Sequence, residues 1–166
     1  MEVFYNNKLV SNNQFLNVSE TQKEPNIKLN VKSNKLYTLI MYDPDAVKGT
    51  FIHWLKVNIT SNDINTGNII IHYKGPAPPV HSGIHHYNFE LYEQSGENNL
   101  ENVEQIVSTI DIIKKKMNLN KLVGNIQFRS QNENGGKRKK NKVKTKRTVK
   151  CRQKNKFKVT KRLLHH

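Results

Sequence analysis

Three short stretches concentrate the residues able to do chemistry: Asp43-Pro44-Asp45-Ala46, His53-Trp54, and Gly75-Pro76-Ala77-Pro78-Pro79 running into His85-His86-Tyr87. Together they offer two carboxylates, at least two imidazoles, a phenol and a backbone stiffened by four prolines. An imidazole beside a carboxylate is favoured in its charged form, and imidazolium, phenol and loop N–H groups all donate to phosphate or carboxylate oxygens. The set suits a small anion. Its acids would orient the histidines or accept an ammonium from a zwitterionic head group. Singly, each stretch has a plainer explanation: a turn, a rigid connector, a half-buried histidine. Trp54 fits the core as well as it fits the site.

Other chemistries fit less well. His53, His72, His81, His85 and His86 with the nearby acids are chemically adequate for zinc, which would make a metal-dependent hydrolase. Against this, His85 and His86 are adjacent, and neighbours on a strand point to opposite faces. Neither a metal nor another cofactor is expected. Ser82 stands near His81 and His85, but no Ser, Cys or Thr lies in a recognisable nucleophile motif, so enzymatic activity is not expected.

The elements that must position these residues read mostly as strands. Leu36 to Met41 is a short apolar run that stops at the Asp43-Pro44-Asp45 turn. Trp54 to Ile59 alternates Trp54, Lys56 and Asn58 against Leu55, Val57 and Ile59, the period of a sheet with unlike faces. Asn68 to Tyr73, entered after Asn65-Thr66-Gly67, gives a neighbouring strand. Tyr87, Phe89 and Leu91 mark a fourth, and Val123 to Phe128 a weaker fifth. Val103, Ile106, Val107, Ile110, Ile113 and Met117 recur at three- and four-residue steps, predicting an amphipathic helix with acids toward its front and Lys114 to Lys116 at its end. The first 35 residues leave room for one or two edge strands. Every chemical cluster thus falls at a strand end, where a rigid scaffold presents side chains to a ligand.

The 166 residues, 35% apolar and 25% charged, provide for one ordinary core. The formal net charge of +15 is not spread over it. Lys137 to His166 hold 15 of the 28 Lys and Arg and no acid, while residues 1 to 136 carry 13 basic and 13 acidic side chains and are neutral. The expected division is a β-rich domain over 1–134 and a basic tail over 135–166, disordered when free because it has too few apolar residues to offset chain entropy. Such a run suits DNA, RNA or another polyanion through phosphate contacts, or nuclear targeting. A nucleic-acid-binding protein acting mainly through this tail is the alternative reading of the whole chain. The lone Cys151 excludes an intrachain disulfide. No stretch approaches the about 20 apolar residues of a membrane-spanning helix, so a cytoplasmic or nuclear protein is expected. An Asn-, Lys- and Ile-rich composition fits an AT-biased coding sequence such as that of a parasite, a low-GC bacterium or a large DNA virus; the last would add the virion as a location.

Tyr42-Asp43-Pro44-Asp45-Ala46, then His53 through Ile59, then Tyr73 through Pro79, and finally Gly83 through Phe89 with Tyr92-Glu93-Gln94 follow an order and spacing that resembles the phosphatidylethanolamine-binding protein family. Glu24-Pro25 and Val123-Gly124-Asn125 resemble its flanking segments, so the similarity covers roughly residues 3 to 130. The resemblance implies a mainly β fold of two packed, largely antiparallel sheets with one or two helices, and a pocket for phosphate-bearing head groups. It implies a non-enzymatic binding module that could regulate a kinase or another signalling partner. By position Asp43, Asp45, His53, Pro78, His85 and Tyr87 fall on the family's pocket residues, with His53, His85 and Tyr87 as anion donors and Asp43 holding a histidine. The sequence departs from the family at Val47, His81 and His86, where proline, glycine and arginine are common, and has a shorter loop before His53. The pocket rim should differ accordingly.

Overall fold

The computed structural model describes residues 1–100 and 103–133. The basic tail expected over 135–166 lies outside them. Among the described residues ten strands form two sheets. A small antiparallel sheet has the order β2-β1-β4, from β1 (Glu2–Tyr5), β2 (Lys8–Leu9) and β4 (Asn26–Lys28). The large sheet runs β3-β10-β8-β5-β6-β7, with β3 (Gln14–Phe15), β5 (Tyr37–Asp43), β6 (Thr50–Ile59), β7 (Asn68–Ile71), β8 (Ile84–Glu93) and β10 (Lys121–Gln131). Its pairs are antiparallel except β3 with β10. The expected fold class is what the structure shows. The N-terminal segment holds four short strands where one or two were expected; brief, Asn-rich pieces give little periodicity to read.

Both faces of the large sheet are covered, and all seven residues of β5 are buried. On one face Leu39, Met41, Trp54, Tyr87, Phe89, Leu91 and Phe128 pack against Val3, Tyr5 and Ile27 of the small sheet. On the other, Ile40, Tyr42, Ile52, Leu55, Val57 and Tyr92 meet Val107, Ile113 and Met117. Trp54 is core, 1% exposed. The alternation along Trp54 to Ile59, read as a sheet with unlike faces, separates two faces that are both buried. Asn58 is accommodated at φ 57° by a closed network. Its Oδ1 accepts from Gln94 Nε2 (2.9 Å) and from the Asn98 N–H (2.9 Å), and its Nδ2 donates to the Asn98 carbonyl (2.8 Å). Burial of amides is tolerable only with partners of this kind.

The helix expected over Val103 to Met117 is corrected: α1 spans only Ile110–Lys116, and Ile106–Val107 form a strand, β9, paired with Thr50 and Phe51. The Ile52 N–H also donates to the Gln105 carbonyl at 2.7 Å. β7 covers β6 only at Leu55 to Val57, so the N-terminal half of β6 offers open backbone groups, and two β-branched residues suit that edge. The apolar pattern located the covered face correctly, because Val107, Ile113 and Met117 share one cluster; it did not determine the backbone. Asp111 and Lys114 to Lys116 stand at the ends of α1 that their charges favour. No helix among the described residues is long and apolar enough to cross a membrane.

Candidate functional site

The β5–β6 turn carries the first cluster. The Asp45 N–H donates to Asp43 Oδ1 (2.8 Å), and the Gly49 N–H closes the turn on the Ala46 carbonyl (3.1 Å). Gly49 has φ +118°, and a Cβ there would lie 2.6 Å from the Val107 carbonyl oxygen, so the approach of β9 to this turn requires glycine.

His53 lies on β6 opposite the segment leading into the proline-rich loop. Its carbonyl accepts from the Lys74 N–H (2.8 Å) and its ring Nδ1 contacts the Lys74 carbonyl (2.6 Å). A carbonyl only accepts, so Nδ1 carries the hydrogen. The loop is held from behind as well. Tyr73 donates its hydroxyl to the Thr21 carbonyl (2.6 Å), which leaves Tyr5 to donate to Tyr73 (2.8 Å). Gln22 Nε2 reaches the Pro76 carbonyl (2.9 Å) and Asn132 Nδ2 the Pro78 carbonyl (3.0 Å).

β8 supplies the rest. His85 and Tyr87, two residues apart, share a face. Tyr87 stacks on Phe128 with centroids 5.1 Å apart and meets His53 edge-on at 5.2 Å. His85 is buried; its Nδ1 donates to Asp43 Oδ2 (2.7 Å), and its Nε2 lies 2.8 Å from Ser82 Oγ. His86, facing the other way, pairs with Asp45 at the exposed rim (2.7 Å).

These pieces enclose a cavity of about 300 Å³ whose lining includes Asp43, His53, Pro78, His85 and Tyr87. Five of the six expected site residues are thus brought together. Asp45 is not in the lining, and its carboxylate is taken by His86. The expected adjustment of a histidine by Asp43 has a structural counterpart in the Asp43–His85 bond. His85, expected as an anion donor, has both ring nitrogens engaged. Sequence reasoning missed Lys48, Phe51, Lys74 and Ile106, which also line the cavity. Lys74 lies inside the Tyr73 to Pro79 stretch, a usable signal; Lys48 and Ile106 had none, because only the turn and β9 bring them there. Lys74 Nζ sits 5.1 Å from the Phe51 ring centroid.

Electrostatics distinguish the groups. Burial lowers the affinity of His53 for a proton, partly offset by the Lys74 carbonyl and Asp43, so the ring is neutral more readily than an ordinary histidine. Burial pushes the Tyr87 hydroxyl well up, and the Asp43 and Asp45 charges add to this, which keeps it a donor. That hydroxyl is buried and has no hydrogen-bond partner among the described residues. Burial would raise the Asp45 carboxyl, but hydrogen bonds from the His86 ring and backbone hold it below its ordinary value. No cluster of three or more His, Cys, Asp or Glu positioned to hold a metal occurs among the described residues.

The arrangement has counterparts in known proteins. The family model described as phosphatidylethanolamine-binding protein matches residues 4–130. The chain is 38% identical over 101 residues to the rice Protein MOTHER of FT and TFL1 homolog 2, covering 57% of each chain. It is 31% identical over 97 residues to the 26 kDa secreted antigen of Toxocara canis, covering 55% of this chain and 37% of that one. Less than two thirds of either relative is therefore spanned. Among solved structures, the carboxypeptidase Y inhibitor complexed with its cognate proteinase superimposes with a TM-score of 0.67 at 23% identity, covering 80% of this chain and 82% of the other. The phosphatidylethanolamine-binding protein from Plasmodium vivax gives 0.66 at 18% identity, covering 80% and 84%. These structural likenesses establish the fold, and the family match extends over most of the chain. The chain belongs to the phosphatidylethanolamine-binding protein family.

Proposed function

We propose that the chain is a binding protein whose cavity takes phosphate or a phospho-headgroup such as phosphoethanolamine, and that a bound or neighbouring protein partner, a kinase among them, is regulated through it. The observation that supports this reading is the balance of charge around the cavity. Lys48 and Lys74 are cationic, His53 and Tyr87 are donors or become donors on protonation, and the single lining carboxylate, Asp43, is already bonded to His85. An incoming anion meets cations and donors without an unpaired opposing charge. Asp45 serves the rim, through His86, and not the ligand.

NMR titration of the chain with phosphate and with phosphoethanolamine, following the histidine rings, tests the reading. Saturable shifts at His53 and His85, abolished in His53→Ala, are expected; unresponsive rings in a folded protein would rule out this ligand class.

A second reading concerns residues 137–166, whose 15 basic side chains and absence of acid favour binding to nucleic acid or another polyanion. Binding to duplex DNA should fall steeply with salt and disappear on truncation after Gly136. Salt-insensitive binding, or binding kept by the truncated chain, would refute it.

A further inference from the structure

We propose that Ser82 is a nucleophile activated by His85 and Asp43, and that the chain has an acyl-transfer activity toward small carboxylic esters. This goes beyond the binding role and does not need a bound anion.

The three side chains are hydrogen-bonded in series. Asp43 Oδ2 receives His85 Nδ1 at 2.7 Å, and His85 Nε2 meets Ser82 Oγ at 2.8 Å. Asp43 and His85 have side chains only 5% and 2% exposed, whereas Ser82 stands exposed at the cavity edge, between two lining residues, His85 and Pro79. A buried acid fixing one tautomer of a buried imidazole, whose other nitrogen faces an accessible hydroxyl, is the arrangement that converts serine to a nucleophile, whatever the order along the chain.

The hydroxyl has one hydrogen and two acceptors within reach, His85 Nε2 and the Pro79 carbonyl at 2.8 Å. With His85 neutral and Nδ1–H directed to Asp43, Nε2 is a base and takes the Ser82 hydrogen. With His85 protonated, Nε2–H donates to Oγ and the hydroxyl turns to Pro79, so only the neutral ring gives a reactive serine. Flanking residues His81 and Gly83 hold positive φ values of 69° and 88°. Their N–H groups donate to no other backbone group among the described residues, which leaves them available to a developing oxyanion.

The step balances with ester and water alone. Ser82 Oγ bonds to the acyl carbon while its proton passes to His85 Nε2. The ester C–O bond breaks, and the leaving alkoxide takes that proton. Water then attacks the acyl carbon and gives a proton to His85 Nε2; the acyl–Oγ bond breaks, Oγ takes that proton back, and the carboxylic acid leaves with Ser82 and neutral His85 restored. Ala77, Pro78, Pro79 and Phe51 on the adjoining wall suit a short apolar acyl group.

The full chain is incubated with a fluorophosphonate, which forms a P–O bond to serine with loss of fluoride, and with p-nitrophenyl acetate. Expected are one adduct mapped to Ser82 by peptide mass spectrometry, turnover of the ester, and loss of both in Ser82→Ala. Asp43→Asn should slow labelling by roughly 1,000-fold or more. Should Asp43→Asn fail to fold, Ser82→Cys gives a second measurement: at pH 6 its new thiol should react with iodoacetamide about 10-fold faster than Cys151 in the same chain. No Ser82 adduct, equal labelling in a folded Asp43→Asn, or a thiol no faster than Cys151 would overturn the proposal.

Discussion

His85 Nδ1 lies 2.7 Å from Asp43 Oδ2, with both side chains almost wholly removed from solvent. Removing one partner of such a pair strands the other without compensation. Asp43→Ala should lower stability by about 1–3 kcal/mol, read as a shift in the urea midpoint at constant slope. The exposed Asp45–His86 pair is a contrast, and Asp45→Ala should cost less than about 1 kcal/mol of pair energy. Equal losses from both substitutions would contradict the burial difference.

Tyr87→Phe should act oppositely on the free and the liganded protein. The buried hydroxyl has no partner, so its removal should leave stability unchanged or raise it by up to about 1 kcal/mol. Phosphate affinity should fall roughly 10-fold, measured by calorimetric titration, if that hydroxyl donates to the ligand. A clear loss of stability would mean that the hydroxyl is satisfied in the free protein.

His53 makes stability depend on pH in a definite direction. Burial lowers its folded value below the ordinary 6.5, so the unfolded chain binds the proton first as pH falls. Stability from this group is undiminished well above pH 6.5 and declines as pH drops through 6.5 toward the lowered folded value. Asp45, also lowered, acts near and below its ordinary 3.8 and does not enter this window. Urea unfolding at pH 8 and pH 5.5 should show a smaller decline for His53→Gln than for the wild type; equal declines would assign the dependence to other groups.

Gly49→Ala should destabilise the chain by about 1–3 kcal/mol, because the residue combines φ +118° with a Cβ position 2.6 Å from the Val107 carbonyl. Amide exchange should locate the damage at Thr50 to Ile52 and at Ile106–Val107. A neutral substitution would show that the turn can open without cost.

The sequence was most informative where the chain is locally periodic. The cores of β5, β6, β8 and β10 were legible because period-two alternation and turn residues are properties of neighbours. The ordered series from Tyr42 to Gln94 marked the family, and it was that resemblance, not periodicity, that pointed to five of the residues found lining the cavity. Ile106–Val107 defeated the reading, since a helical apolar pattern also satisfies a strand-turn-helix path covering the same face.

By itself, then, the sequence determined the fold family, the chemical types available for a site, and the separation of a neutral body from a basic tail. Tertiary structure decided how those types pair. The β5–β8 register places Tyr42 opposite Asn88 and so carries Asp43 to His85 rather than to His53, while Asp45 turns outward to His86. It brought Lys48, Phe51 and Lys74 into the cavity lining. Such pairings depend on strand register and turn geometry between distant segments, where a shift of one residue reverses which face a side chain occupies.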